Sequence, residues 1–94
     1  MISDWCAKCY QIFDFNGWEL VVGETGHLDL NGKYNDDVGS ARVNSGCTLK
    51  LYRSFNTHGL LYSLTADAPS LSANGDQVSS LICYCQGIKP TLFI

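Results

Sequence analysis

The chain is poor in charge and has no long apolar run, and both shortages narrow its possible functions. Only 16% of its 94 residues are charged, for a net charge of −3. The basic residues Lys8, Lys33, Arg42, Lys50, Arg53 and Lys89 stand singly, so no patch exists to neutralise a run of phosphates, and nucleic acid is not an expected partner. No apolar stretch approaches the ~20 residues needed to cross a bilayer, and no membrane segment is expected. The start Met1, Ile2, Ser3, Asp4 lacks the basic and apolar regions of a signal peptide. Catalytic signatures are missing as well. There is no serine on a glycine elbow, no HExxH and no glycine-rich phosphate loop, so an enzyme is not expected. His27 and His58 sit among Gly and Thr without a second histidine or a carboxylate at metal or triad spacing, and read as surface loop residues.

What is present suits one globular domain over residues 1–94. Hydrophobic residues make up 46%, enough apolar surface to offset the entropy of ordering the chain. Half of this length would make an inadequate core. Glycine and asparagine turns recur at short intervals, as at Gly17, Gly23, Asn31-Gly32, Gly39, Gly46, Gly59 and Asn74-Gly75, a rhythm of short strands. The expected strands are Cys9 to Phe13, Trp18 to Val22, Ser40 to Val43, Thr48 to Arg53, Leu60 to Leu64 and Ser80 to Tyr84. Thr65 to Ala73, rich in Ala and Ser, has room for one short helical turn. Trp5 and Trp18 are expected in core or rim packing.

Self-similarity is the most informative feature. Tyr10 and Gly17 are seven apart, and so are Tyr52 and Gly59, forty-two positions later. Downstream, Asp36-Asp37-Val38-Gly39-Ser40 aligns with Asp76-Gln77-Val78-Ser79-Ser80 at a shift of forty. Each copy spans about forty residues and has room for four strands. The copies define motif A, about residues 5–45, and motif B, about 46–86, leaving a tail over 87–94. That tail ends Leu92-Phe93-Ile94; it either folds back or meets another copy of the chain in a homodimer. Five cysteines form a CxxC (Cys6, Cys9), a CxC (Cys83, Cys85) and a lone Cys47. An oxidising compartment would give two bridges and a spare thiol, the cytosol five thiols. The balance tilts slightly to at least one bridge and an extracellular setting, with zinc on the CxxC and CxC pairs as a minor alternative.

At these residues the chain resembles the βγ-crystallin family, whose Greek-key signature is an aromatic, four residues, an aromatic, one residue and glycine. Tyr10, Phe15 and Gly17 match it in full; Tyr52 and Gly59 match it in the second copy, where Thr57 replaces the inner aromatic. Ser40 and Ser80 match the family's late serine, which ties the folded hairpin down. The resemblance implies an all-β, eight-stranded, two-sheet sandwich of two Greek-key motifs. In that fold the strands carrying Cys47 and Cys83/Cys85 are neighbours, so a bridge from Cys47 to either is implied, with Cys6 and Cys9 as further candidates.

The resemblance also implies calcium as cofactor and partner. Family loops carry Asn/Asp, Asn/Asp, two free positions, Ser/Thr and Ser, a source of the oxygens that a hard cation requires. Here Asn35-Asp36-Asp37-Val38-Gly39-Ser40 has glycine in place of the ligating hydroxyl, and Gly75-Asp76-Gln77-Val78-Ser79-Ser80 has glycine at the opening position. If each ion is shared between the loops, both losses fall on one site. The other keeps the Ser79 hydroxyl, the Gln77 carbonyl and the Asn35 side chain, with the Gln11 carbonyl as a further ligand; Asp37 and Asp76 complete the candidates. One competent site of modest affinity is expected, in a non-enzymatic structural protein. The alternative is a secreted, disulfide-bonded interaction protein, toxin- or proteinase-inhibitor-like, on the same fold.

Overall fold

The computed structural model describes residues 5–71 and 77–85. Seven strands are formed there: β1 Ala7–Ile12, β2 Asn16–Val22, β3 Thr25–Asp29, β4 Ser40–Val43, β5 Cys47–Ser54, β6 His58–Leu64 and β7 Ser80–Cys85. They make two antiparallel sheets, ordered β2-β1-β4 and β3-β7-β5-β6. β3 leaves its sequence neighbours to pair with β7, so the first half of the chain is tied into the second half's sheet.

Alternation explains the strands. In β5, Cys47, Leu49 and Leu51 are buried while Thr48, Lys50 and Tyr52 are partly exposed, which is the pattern of a sheet with one face on the core and one in water. The inner faces meet in a core of small and branched side chains, including Ala7, Cys9, Val22, Val43, Leu49, Leu51, Leu81 and Cys83. Val38 and Val78 plug it from the two loops that the repeat aligned, with 1% and 0% of their surface exposed. Trp18 is half-buried at the rim, edge-on to Tyr34 at 4.8 Å, and Trp5 lies under the Lys8 ammonium at 4.7 Å.

The count of strands corrects the expected eight. The segment that should form the third strand of the second motif runs beside β4 but touches it as a ladder only at Ala68 and Ala41, whose N–H and C=O groups exchange bonds of 2.8 and 3.0 Å. On one side Pro69 has no N–H to continue the ladder. On the other, the Asp67 carboxylate takes over a backbone role by accepting from Val43 N–H at 2.9 Å. Residues 65–71 hold no helical turn, and a 3-10 turn lies instead at Gly32–Tyr34. Ser72, Ala73, Asn74, Gly75 and Asp76, and the tail over 87–94, lie outside the described residues. Within those described, no helix is long and apolar enough to cross a membrane.

Candidate metal centre

Two folded hairpins build the walls of the candidate site, and both are held in the same way. The turn between β1 and β2 puts Asp14 and Phe15 at φ of 60° and 64°, and that between β5 and β6 puts Asn56 and Thr57 at 64° and 56°. Such left-handed backbone is costly for side-chain-bearing residues, so something must hold it. Ser40 Oγ accepts from Phe15 N–H at 3.0 Å and donates to the Ile12 carbonyl at 2.7 Å. Ser80 Oγ repeats both bonds, accepting from Thr57 N–H at 3.0 Å and donating to the Ser54 carbonyl at 2.5 Å. Both serines are fully buried.

The hairpins differ at their aromatic clasp. Phe15 stands edge-on to Tyr10, with ring centroids 5.7 Å apart, and the Arg42 guanidinium covers its other side at 3.9 Å. Thr57 offers no ring, and its hydroxyl turns back to the Asn56 carbonyl at 2.6 Å. Tyr10 donates to Glu19 Oε2 at 2.7 Å. Burial, and then that carboxylate, hold its hydroxyl above the usual tyrosine range.

Each folded hairpin is also met by a loop. Gly39 N–H bonds the Tyr10 carbonyl and Ser79 N–H the Tyr52 carbonyl, both at 2.8 Å; Leu71 N–H bonds Gly39 C=O and Leu30 N–H bonds Ser79 C=O, both at 2.9 Å. Gly39 and Ser79 therefore occupy equivalent places, and the chemistry diverges there. A methyl on Gly39 would sit 2.5 Å from the Gln11 carbonyl oxygen, so this loop has closed onto the backbone and has no room for a hydroxyl. Gln11 and Asp37 are on that side too, joined by Gln11 Nε2 donating to Asp37 Oδ2 at 3.1 Å.

Around Ser79 the arrangement is more open to a cation. Ser79 Oγ donates to Asp36 Oδ1 at 3.1 Å, and Asp36 N–H bonds the Val78 carbonyl at 2.8 Å, so the two loops meet directly. Asn35 Oδ1 is buried without a hydrogen-bond partner; Trp18 Nε1 is the other such side-chain atom among the described residues. The structure thus brings Ser79 and Val78 against Asp36 from the opposite loop, leaves Gln77 beside them in sequence, and sets Gln11 and Asp37 apart at Gly39. Asp76 lies outside the described residues.

Asp36 is the residue that sequence reasoning passed over as a ligand. It occupies the second Asn/Asp position of the loop, but which of Asn35 and Asp36 meets the other loop depends on a backbone turn, φ 60° at Asp36, that spacing does not reveal. A second omission is Asp29. His27 is exposed, as expected, yet its Nε2 lies 2.7 Å from Asp29 Oδ1, so the expectation of no carboxylate partner is corrected: positions two apart on a strand share a face. Asp29 Oδ1 also accepts from Asn56 N–H at 3.0 Å. That bond, and then His27, hold the Asp29 carboxyl below its usual range.

The cysteines form two bridges, Cys6–Cys83 and Cys47–Cys85. Cys9 is a free, fully buried thiol that desolvation pushes up to about 12, and it is inert as a nucleophile in the folded state.

No protein-family model and no curated protein matches the chain. Among solved structures, a βγ-crystallin domain from Flavobacterium johnsoniae superposes with a TM-score of 0.80 at 24% identity, over 89% of this chain and 99% of that one. A βγ-crystallin domain from Clostridium beijerinckii gives 0.74 at 26% identity, over 84% and 97%. The N-terminal domain of protein S gives 0.78 at 19% identity, over 88% and 99%. With its folded hairpins, buried late serines and third strand paired into the second sheet, the chain has the fold of βγ-crystallin domains.

Proposed function

We propose that this domain is a non-catalytic structural protein that binds one calcium ion at the Ser79 loop pair. The observation carrying the reading is the meeting of Ser79 Oγ and the Asp36 carboxylate at 3.1 Å, beside a loop in which Asn35 Oδ1 is buried without a partner. A buried polar atom with no partner costs about 1–3 kcal/mol, and a cation would relieve it. The oxygens available are the Ser79 hydroxyl, the Asp36 carboxylate, the Asn35 amide and the Gln77 carbonyl. The carbonyl of Arg53, the repeat's counterpart of Gln11, is a fifth. All are hard ligands of the kind calcium takes, and with one carboxylate among them the affinity is modest, about micromolar or weaker.

The Gly39 side does not fit an ion. Its hydroxyl position is missing, and the Gln11 carbonyl fills the space a replacement would need. Calcium acts here as a clasp between the loops and stabilises the folded state by mass action. At about a hundred times Kd the thermal midpoint should rise on the order of 10 °C, with calorimetry giving one ion per chain. Ser79→Ala and Asp36→Ala should each abolish the rise. No heat and no shift at millimolar calcium in the unaltered protein would remove the reading.

The two bridges favour a second reading, a secreted interaction protein on the same fold, because disulfides persist in oxidising compartments. Intact mass with and without alkylation of the protein from its own source separates the two. Two bridges and one thiol support secretion, and five thiols oppose it.

A further inference from the structure

Three of the four bridged cysteines, Cys6, Cys47 and Cys85, gather their sulfurs where the two sheets meet, and the fourth, Cys83, is bonded to Cys6. Cys83 and Cys85 are two apart on β7 and so share its inner face. Cys47 faces Cys85 across the β5–β7 ladder, and Cys6 arrives from just before β1 in the other sheet. Cys6 is bonded to Cys83 and Cys47 to Cys85, yet the Sγ atoms of Cys6, Cys47 and Cys85 all lie within 4.8 Å of one another. The two bridges are therefore neighbours. In a tetrahedral zinc site with Zn–S near ~2.3 Å, the sulfurs are about 3.8 Å apart. Cys6 Sγ has to approach Cys47 and Cys85 by about 1 Å at most, while the bonded pairs Cys6–Cys83 and Cys47–Cys85 open to that spacing on reduction and Cys83, outside the trio, moves in from beside Cys6.

The backbone that presents these sulfurs is held by hydrogen bonds as well as by the bridges. The β5–β7 ladder holds Cys47, Cys83 and Cys85 in register. Cys6 N–H bonds Val22 C=O at 2.7 Å, Asn44 N–H bonds Cys6 C=O at 3.0 Å, and Cys47 N–H bonds Asn44 C=O at 3.0 Å. Asn44 Nδ2 adds a bond to the Trp5 carbonyl at 2.9 Å. Cys6, Cys47 and Cys83 are buried and Cys85 is half-buried, which leaves one side for an ion to enter. Four thiols in such surroundings are poor thiolates when alone and good soft ligands once a cation neutralises them.

We propose that, when its two bridges are reduced, the domain binds one soft divalent cation, Zn2+ by preference, through Cys6, Cys47, Cys83 and Cys85. Bridges and metal are then alternative staples of the same end of the sandwich. A dithiol reductant supplies two electrons and two protons to each bridge and is itself oxidised to a disulfide. The four thiols formed lose their protons to solvent as the ion binds. The pair of short motifs in the sequence is misleading here, because Cys9 of the CxxC is replaced by Cys47. This site shares no residue with the calcium loops and stands or falls independently of them.

The test uses the full chain, reduced with a phosphine without oxygen and titrated with Co2+ and then Zn2+. The expected result is one Co2+ per chain with the visible bands and sulfur charge transfer of a four-thiolate tetrahedral site, displaced by one equivalent of Zn2+. Reduced protein with Zn2+ should melt several degrees above reduced protein without it and keep the circular dichroism of the bridged form. The bridged protein should take up neither ion. Cys9→Ser should leave the spectrum unchanged, and Cys47→Ser should abolish it. Should Cys47→Ser fail to fold, X-ray absorption of the unaltered Zn2+ form decides, with four sulfurs near ~2.3 Å expected. A shell containing nitrogen or oxygen, uptake only by an unfolded chain, or no uptake at equimolar metal would overturn the proposal.

Discussion

Gly17 and Gly59 occupy the same place in the two hairpins, at φ of 82° and 75°, but their surroundings differ. A methyl on Gly17 would meet Gln11 Cβ at 2.6 Å, whereas one on Gly59 would meet Arg53 Cβ at 3.3 Å. Gly59→Ala bears mainly the left-handed backbone cost, about 1–2 kcal/mol. Gly17→Ala adds a clash against the base of a neighbouring side chain, which brings the loss to about 3 kcal/mol. Urea denaturation of both variants checks the order, and equal losses would mean that the Gln11 contact gives way freely. Cys9 makes a separate case at this scale. Its thiol is pushed from 9.0 to about 12 by burial alone, so the folded state holds the proton more tightly than the unfolded chain. The stability tied to that proton is complete below pH 9 and is lost as pH rises toward 12. Alkylation at pH 8 should therefore label Cys9 only in denaturant. Rapid labelling of the native protein would contradict its burial.

Between elements, side chains do the work that a missing strand would have done. Asp67 accepts from Val43 N–H at 2.9 Å and pairs with Arg42 at 3.2 Å, on the edge of β4 that the second motif leaves without a ladder. Val43 is buried, so Asp67→Ala strands a backbone donor and should cost about 1–2 kcal/mol. Arg42→Ala should cost less against that edge, since the ion pair is exposed. Faster amide exchange at Val43 in Asp67→Ala alone would show the origin of the difference, and unchanged exchange there would refute it. The same elements mark what could be read in the sequence. β4, β5 and β7 were legible because apolar and polar residues alternate between turn residues. β3 was not, because Thr25-Gly26-His27-Leu28-Asp29 has one branched-chain hydrophobe and a glycine; its strand exists through pairing with β7, with a register shift between Thr25 and Leu28. The missing eighth strand was overlooked because a repeat in sequence suggests equal halves, while Pro69 acts locally. The loops of the candidate site were legible through the repeat, which aligned Val38 with Val78 and Ser40 with Ser80. The sides on which Gln11 and Asp36 fall were not, because they depend on how tightly Gly39 closes and on one positive φ.

For the molecule as a whole, the bridges distinguish ties within a sheet from ties between sheets. Cysteine spacing leaves their connectivity open, and the fold resolves it by placing Cys47 opposite Cys85 and Cys6 against Cys83. The two close segments of 77 and 38 residues in sequence separation. Chain entropy gives each about 4–4.5 kcal/mol, a difference too small to rank them. Structure ranks them instead. Cys47 and Cys85 sit in a ladder whose register also includes Thr48 with Tyr84, Leu49 with Cys83 and Leu51 with Leu81, so β5 and β7 stay paired without the bond. Cys6 is anchored by its backbone bonds to Val22 and Asn44, both in or beside its own sheet, and its sulfur is the one side-chain covalent tie across to the other sheet among the described residues. The double variant Cys6→Ala with Cys83→Ala should therefore lose at least about 1 kcal/mol more than Cys47→Ala with Cys85→Ala, because it also frees the contact between the sheets. Equilibrium unfolding of the two variants, each with its remaining bridge intact, measures the difference. Equal losses would mean that apolar packing alone holds the sheets together at that end.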